Sequence, residues 1–462
     1  MPTKLYITTI AVVGLAYMAA IRFMRIPPVP TLDQEPWWGP GEPHAEDAAI
    51  RPFRIDIAKE DIDSLKVRLD LPLRITSPLE GANFTYGMNQ TTLQTIVHYW
   101  RNSYDWKQRE KRLNQYSHFK TQIEGLDIHF MRVAPQLHEN QKVKVLPLLM
   151  VHGWPGSIVE FYNILPLLTT PQDGSSVVFD VICPSIPGFG FSQSSVKQGL
   201  GQLQTAQIFL KLMKRLGFQK FYVQGGDWGA LVVNLIATMY PENILGVHVN
   251  FIMARTPGSV AKMLLGSVLP TGLVMDAKDE NRLYPLGELF ARLLRESGYM
   301  HIQATKPDTV GAGLNQSPVG LAAYILEKFS TWTHRGNPHF PDGGLLQEDF
   351  PISLDEMLDN ICVYWYTGTI TSSMRYYAEN TAQTEALGIM ERIPCLVPAG
   401  LSSFPQELLD MPKHLAAHKF YNIVYYAEHS EGGHFAAMER PKLLARDIHQ
   451  FVMTVEKGRS NV

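Results

Sequence analysis

Cysteine is scarce in this chain: Cys183, Cys362 and Cys395 are the three among 462 residues, and each stands alone. An odd, scattered set argues against a disulfide framework, and no Cys-x-x-Cys or His/Cys spacing offers a zinc site. Three free thiols in a reducing setting are therefore expected. A surplus of either charge is also missing. Forty-one Lys and Arg against 44 Asp and Glu leave a formal charge of -3, so no basic excess marks a nucleic-acid surface. Internal repeats and low-complexity tracts are absent as well. At 45% hydrophobic and 18% charged, with 35 Gly and 31 Pro, the composition is globular and turn-rich, which excludes disordered, collagen-like and coiled-coil chains. The length suggests about three domains of roughly 150 residues, or fewer if an α/β fold absorbs more.

One segment departs from a soluble pattern. Between Lys4 and Arg22, residues 5–21 carry no charge. At 1.5 Å per residue they reach about 25 Å, the short end of a bilayer span. A signal peptide is the rival, but no Ala-x-Ala site follows; Arg22, Arg25 and Ile26-Pro27-Pro28 do. An uncleaved anchor over residues 1–25 is expected. Arg22 and Arg25 weakly favour a cytoplasmic bulk, which makes the sequons at Asn83 and Asn89 chance matches.

Residues 26–143 are expected to form an arm and cap. The arm is Pro- and acid-rich around Trp37-Trp38, and 61–68 has a charged helical pattern. From 144 to 252, short apolar runs (145–151, 177–182, 221–224, 244–251) alternate with helical spacing such as 203–216. Strands alternating with helices imply a mostly parallel sheet covered on both faces. The pattern lapses into a helical, aromatic-rich insertion over 253–391. It resumes over 392–462, with runs at 395–399 and 420–426 and a closing helix after Pro441. A sheet interrupted late by a helical insertion is the outline of an α/β-hydrolase fold with a lid.

The chemistry concentrates in Gly225-Gly226-Asp227-Trp228-Gly229, between a strand and a helix. A nucleophile on so tight a strand-to-helix turn needs small residues two positions before and after it, and Gly225 and Gly229 supply them. The nucleophile position holds Asp227. A carboxylate attacks esters and amides poorly but displaces a leaving group from an sp3 carbon, forming an alkyl-enzyme ester. A base must then direct water onto that ester. His434, in Glu431-Gly432-Gly433-His434-Phe435 after the last strand, stands at the base position. Glu407 is the expected acid behind it, with Asp410 as rival. His152-Gly153-Trp154-Pro155-Gly156 follows the first apolar strand, where this fold draws one oxyanion-hole N–H; the other comes from the residue after the nucleophile. Those residues are Trp154 and Trp228, with His152 fixing the loop. Pro187-Gly188-Phe189-Gly190 reads as a turn, because the third Gly of a dinucleotide loop is missing.

Together, His152-Gly153-Trp154-Pro155, the Asp227 elbow and Gly432-Gly433-His434-Phe435 resemble the microsomal epoxide hydrolase family. The resemblance spans essentially the whole chain. Within the lid, Ser297-Gly298-Tyr299-Met300-His301-Ile302-Gln303 and Ser372-Ser373-Met374-Arg375-Tyr376-Tyr377 match the family's two tyrosine segments. The Trp37-Trp38-Gly39-Pro40 arm and the Ser-Met-Arg segment are most similar to the insect branch, the juvenile hormone epoxide hydrolases. The resemblance implies that Tyr299 and Tyr377 donate to the epoxide oxygen, with Tyr376 held only as a fallback. A phenol of pKa about 10 suits that role at neutral pH. It also places the charge-relay acid on Glu407, with Gln406 departing from the aromatic of the mammalian members. Further implied are a small lipophilic epoxide substrate, an endoplasmic reticulum membrane location, no metal or organic cofactor, and no obligate protein partner. Two alternatives share the fold. A haloalkane dehalogenase would need halide donors in place of the tyrosines, and a non-catalytic hormone-binding protein would have no use for the full set of groups.

Overall fold

The structure, a computed structural model, describes residues 25–137 and 143–460. The apolar stretch 5–21 lies outside the described residues. Among the described residues no helix is long and apolar enough to cross a membrane.

Nine strands form one sheet in the order β1-β2-β3-β5-β4-β6-β7-β8-β9. From β4 (Lys144–Val151) and β5 (Val177–Pro184) through β6 (Phe221–Gly225), β7 (Ile244–Val249), β8 (Ala399–Ser403) and β9 (Ile423–Glu428), the neighbours are parallel. Every residue of β5, β6 and β7 is buried, as strands covered on both faces require. Helices Gln202–Arg215 and Asp227–Met239 and the closing helix Pro441–Ser460 provide the cover. Strand β8 begins later than the apolar run 395–399 suggested. Pro394 and Pro398 lack N–H donors, so a continuous ladder starts only at Ala399, preceded by an isolated bridge from Cys395 to Phe420.

Part of the 26–143 segment extends the sheet, while its helices Lys59–Leu69, Gln90–Asn102 and Trp106–Leu113 stand outside it. Strands β1 (Arg51–Phe53), β2 (Ser117–Ile123) and β3 (Leu126–Val133) add antiparallel, with β3 pairing β5. Their mixed composition hid them: β1 is largely exposed, β2 alternates irregularly, and in the mostly buried β3 Asp127, His129 and Arg132 interrupt the apolar run. The arm packs against the body through its aromatics. Trp37 is buried, the Trp38 indole donates to Glu124 Oε2 at 2.7 Å, and Gln207 Nε2 donates to the Asp33 carbonyl at 2.8 Å.

The 253–391 insertion is helical and leans on the N-terminal helices. Helix Leu354–Thr367 starts in a Ser353/Glu356 capping box and stops at Gly368 in the left-handed region. Asp359 on it is fully buried. It accepts from Arg109 Nη2 at 2.6 Å and from the Tyr104 hydroxyl at 2.8 Å. An ion pair this deep is held by its complete hydrogen bonding, and it ties residues 104–112 to the lid.

Candidate active site

The turn after β6 is built by exclusion. A Cβ at Gly225 would overlap the backbone of Gly229, one at Gly229 would overlap the Val151 carbonyl, and one at Gly153 would overlap the Asp227 carboxylate. Asp227 itself sits at φ +47°, in the left-handed region that costs a non-glycine residue about 1–2 kcal/mol. The surrounding packing holds it there, with its carboxylate raised above the carboxyl ends of the parallel strands.

Each carboxylate oxygen has its own neighbour. The Trp154 N–H donates to Asp227 Oδ1 at 2.8 Å, and His434 Nε2 stands 3.6 Å from Oδ2, too far for a direct hydrogen bond. Burial pushes the Asp227 carboxyl up; His434 and the N–H groups of Trp154 and Trp228 work against that rise. On its other side His434 Nδ1 lies 2.6 Å from Glu407 Oε1, with both side chains almost wholly buried. Burial alone would drive the imidazole down. The charge and hydrogen bond of Glu407, then the charges of Asp227 and Glu160, reverse this and hold His434 at about 9.

Asp410, the rival acid, faces elsewhere. It pairs with Arg282 and accepts from the Ser403 hydroxyl at 2.7 Å. Tyr299 and Tyr377 face each other with ring centroids 5.8 Å apart. The Tyr299 ring stacks on Trp154 at 5.0 Å, and Tyr377 meets Trp228 edge-on at 4.8 Å. Burial first, and for both the charge of Asp227 as well, push the two phenols upward, so they hold their protons at neutral pH. The Tyr377 hydroxyl is buried without a hydrogen-bond partner among the described residues. Tyr376 donates instead to Thr205 Oγ1 at 3.0 Å, away from the pair. His152 is a loop brace, with Nδ1 3.0 Å from the Gly153 carbonyl and Nε2 accepting the Ile186 N–H at 3.2 Å.

Two carboxylates that the sequence did not single out complete the site. Glu160, on the short helical turn Ile158–Phe161, lines a cavity of about 10 Å3 together with Asp227, His434 and Asn250. Loss of bulk water pushes Glu160 up to about 8; His434 opposes the rise and Asp227 adds to it. A glutamate in a first helical turn ordinarily reads as a partner of the helix dipole, so nothing local marked it. Glu439 accepts the N–H groups of Gly433 and Phe435, both at 2.8 Å, while the His434 N–H donates to the Trp332 carbonyl at 3.0 Å. Three successive amides thus pin the His434 loop. Burial, against those two amides, lifts Glu439 to about 8.

With this geometry in view, the chain can be set beside known proteins. Residues 50–161 match the family model "Epoxide hydrolase N terminus", and 147–343 match "alpha/beta hydrolase fold". Juvenile hormone epoxide hydrolase 1 of Ctenocephalides felis is 48% identical over 421 residues, 91% of this chain and 89% of that one. Epoxide hydrolase 1 of Oryctolagus cuniculus is 49% identical over 431 residues, 92% of this chain and 93% of that one. The crystal structure of juvenile hormone epoxide hydrolase from the silkworm Bombyx mori superposes with a TM-score of 0.89 at 42% identity, covering 93% of this chain and all of that one. Identity of this order over nine-tenths of the chain, on a matching fold, makes the protein an α/β-hydrolase enzyme of the epoxide hydrolase family.

Proposed function

We propose that the protein hydrolyses lipophilic epoxides to vicinal diols through a covalent ester on Asp227. One juxtaposition supports this above all. A carboxylate with one oxygen held by a backbone N–H lies under two protonated phenols, one of them buried without a partner, and beside an imidazole backed by Glu407. Asp227 Oδ2 attacks an epoxide carbon from behind. The ring C–O bond breaks, and its electron pair goes to the oxygen, which takes hydrogen bonds and a proton from Tyr299 and Tyr377.

The second half turns on charge. Once Asp227 is esterified, its negative charge is gone, and so is part of what holds the His434 proton. The His434 proton returns to the tyrosine that gave its own to the epoxide oxygen, and His434 becomes a base when one is needed. It takes a proton from a water that attacks the Asp227 carboxyl carbon, and the N–H groups of Trp154 and Trp228 stabilise the oxyanion. The cavity shared by Asp227, His434 and Glu160 is the size of one water, and Glu160 orients that water in this scheme. Collapse of the oxyanion expels the diol's second oxygen, which takes its proton from the His434 imidazolium, and His434 then takes the proton of the new carboxyl group, restoring the carboxylate.

Aromatic walls from Trp154, Trp228 and Trp332 suit an apolar substrate, and juvenile hormone is proposed among the substrates on the strength of the insect relatives. Residues 5–21 are proposed as a single-pass anchor in the endoplasmic reticulum membrane, with the catalytic bulk cytoplasmic, because lipophilic epoxides concentrate in the bilayer. The test is a single turnover in heavy-oxygen water. The diol is expected to carry ordinary oxygen and the label to appear in Asp227. Label in the first-turnover diol means that water opens the ring directly, and the ester scheme fails. Intact mass is expected to show the adduct accumulating in His434→Gln and absent in Asp227→Asn.

A further inference from the structure

The lid carries an apolar surface that neither the core nor the active site uses. From 263 to 275 no charged side chain occurs, yet this stretch runs at the surface. Leu264 and Leu265 are about half exposed, while Val268 at 77% and Leu273 at 68% stand largely in solvent. The nearby helix Leu286–Glu296 repeats the pattern. Leu289 packs inward with Met275, Leu283 and Leu415 in a small satellite core, whereas Phe290 at 53% and Leu294 at 78% face out.

This is not core left loosely packed. The buried Glu280 carboxylate accepts the Gly272 N–H at 2.9 Å and the Met275 N–H at 3.3 Å, and the Tyr284 hydroxyl donates to the Met263 carbonyl at 2.7 Å. The backbone is thus set from beneath, and the apolar side chains are held outward. Exposed apolar surface fixed in this way marks a contact, and the course of the chain names the partner. The Arg25 carbonyl accepts from Arg392 at 2.8 Å. The adjacent Glu391 pairs with Arg255 at 3.8 Å, two residues before helix Pro257–Gly266, which leads into the apolar loop. Arg25, which follows the uncharged stretch 5–21 closely in sequence, is thus tied to the body beside the helix that leads into this surface.

We propose that the 263–275 loop and the outer face of helix Leu286–Glu296 dock onto the lipid bilayer. Helix Gly298–Thr305, which carries Tyr299, follows directly, so substrate dissolved in lipid meets the lid rather than bulk water. The choice of lipid as the partner and the orientation both rest on the anchor proposed above; the exposed apolar surface itself does not.

The test uses full-length protein with phosphatidylcholine–phosphatidylserine vesicles. All three native thiols are buried, so Thr271→Cys takes an environment-sensitive maleimide dye at the loop, and Ser460→Cys serves as the comparison site on the closing helix. Interfacial insertion reaches about 5–10 Å, so bromolipids are expected to quench the dye at 271 about threefold more than the dye at 460. Equal quenching at the two sites overturns the proposal. Extraction by alkaline carbonate reads the anchor separately. A chain that is extracted but quenched at 271 keeps the docking and loses the anchor, and a chain that resists extraction without such quenching does the reverse. In Val268→Asp/Leu273→Asp, KM for a vesicle-borne epoxide is expected to rise about tenfold, with turnover of a water-soluble epoxide unchanged. An unchanged KM for the vesicle-borne substrate also counts against docking.

Discussion

Glu407→Gln is the most informative single change, because it removes one charge and keeps the shape. The carboxylate lies 2.6 Å from His434 Nδ1, both side chains are nearly sealed from water, and His434 is held at about 9. Held that far above the ordinary histidine value of about 6.5, the imidazolium is preferred by about 3 kcal/mol. Glu407 is the largest favourable contributor, with Asp227 and Glu160 behind it, so the substitution removes most of that preference and leaves burial to act. His434 is expected to titrate at or below 6.5 in the variant. Ring opening by Asp227 needs no base and should proceed, while ester hydrolysis loses the oriented imidazole and slows by about 100- to 10,000-fold. Rapid-quench mass spectrometry would then show a burst of adduct equal to the enzyme present, and NMR of the imidazole nitrogens would follow the titration. Linkage supplies an independent check. A histidine whose folded pKa is raised stabilises the native state fully below about 6.5, and that stability is lost as pH climbs through about 9. Wild-type unfolding free energy should therefore fall by about 3 kcal/mol over this window beyond the change seen in Glu407→Gln. Ester hydrolysis at the wild-type rate in the variant, or a His434 titration still near 9, refutes the reasoning.

Other changes separate the two half-reactions. Tyr377→Phe and Tyr299→Phe are each expected to slow adduct formation about 100-fold, with their effects compounding in the double variant, while decay of preformed adduct stays unchanged in stopped-flow traces. Glu160→Gln is expected to do the opposite, slowing adduct decay about 10- to 100-fold and sparing adduct formation. Asp359→Ala removes the buried partner of Arg109, leaving it Asp355 at 3.2 Å, in the tie to the N-terminal helices. A loss of about 3–5 kcal/mol in urea unfolding is expected; a loss below about 1 kcal/mol would show that the pair does not carry the lid contact.

The elbow was legible because its constraints are local. Small residues around Asp227 answer to backbone overlaps within five positions and to two neighbouring strands, and the same glycine pattern marks the loops of Trp154 and His434. The parallel half of the sheet was legible for a related reason, since strands buried on both faces must be apolar along their whole length. The antiparallel strands were not: β1 and β2 are partly exposed and need no such run, and in β3 Asp127, His129 and Arg132 interrupt it. Pairings across the chain were decided only in three dimensions. Asp410 stands three residues from Glu407, but Arg282, 128 residues away, claims it. Tyr376 and Tyr377 are adjacent, yet successive positions on a helix point about 100° apart, so one meets Thr205 and the other faces Tyr299 and Trp228. Glu160 had no local mark at all. Its significance comes from a cavity whose walls lie more than 270 residues apart in the chain, and no pattern along a sequence encodes that distance. Residue type and backbone demand were thus written in the chain, while which charged groups face one another, out of water, was settled by packing.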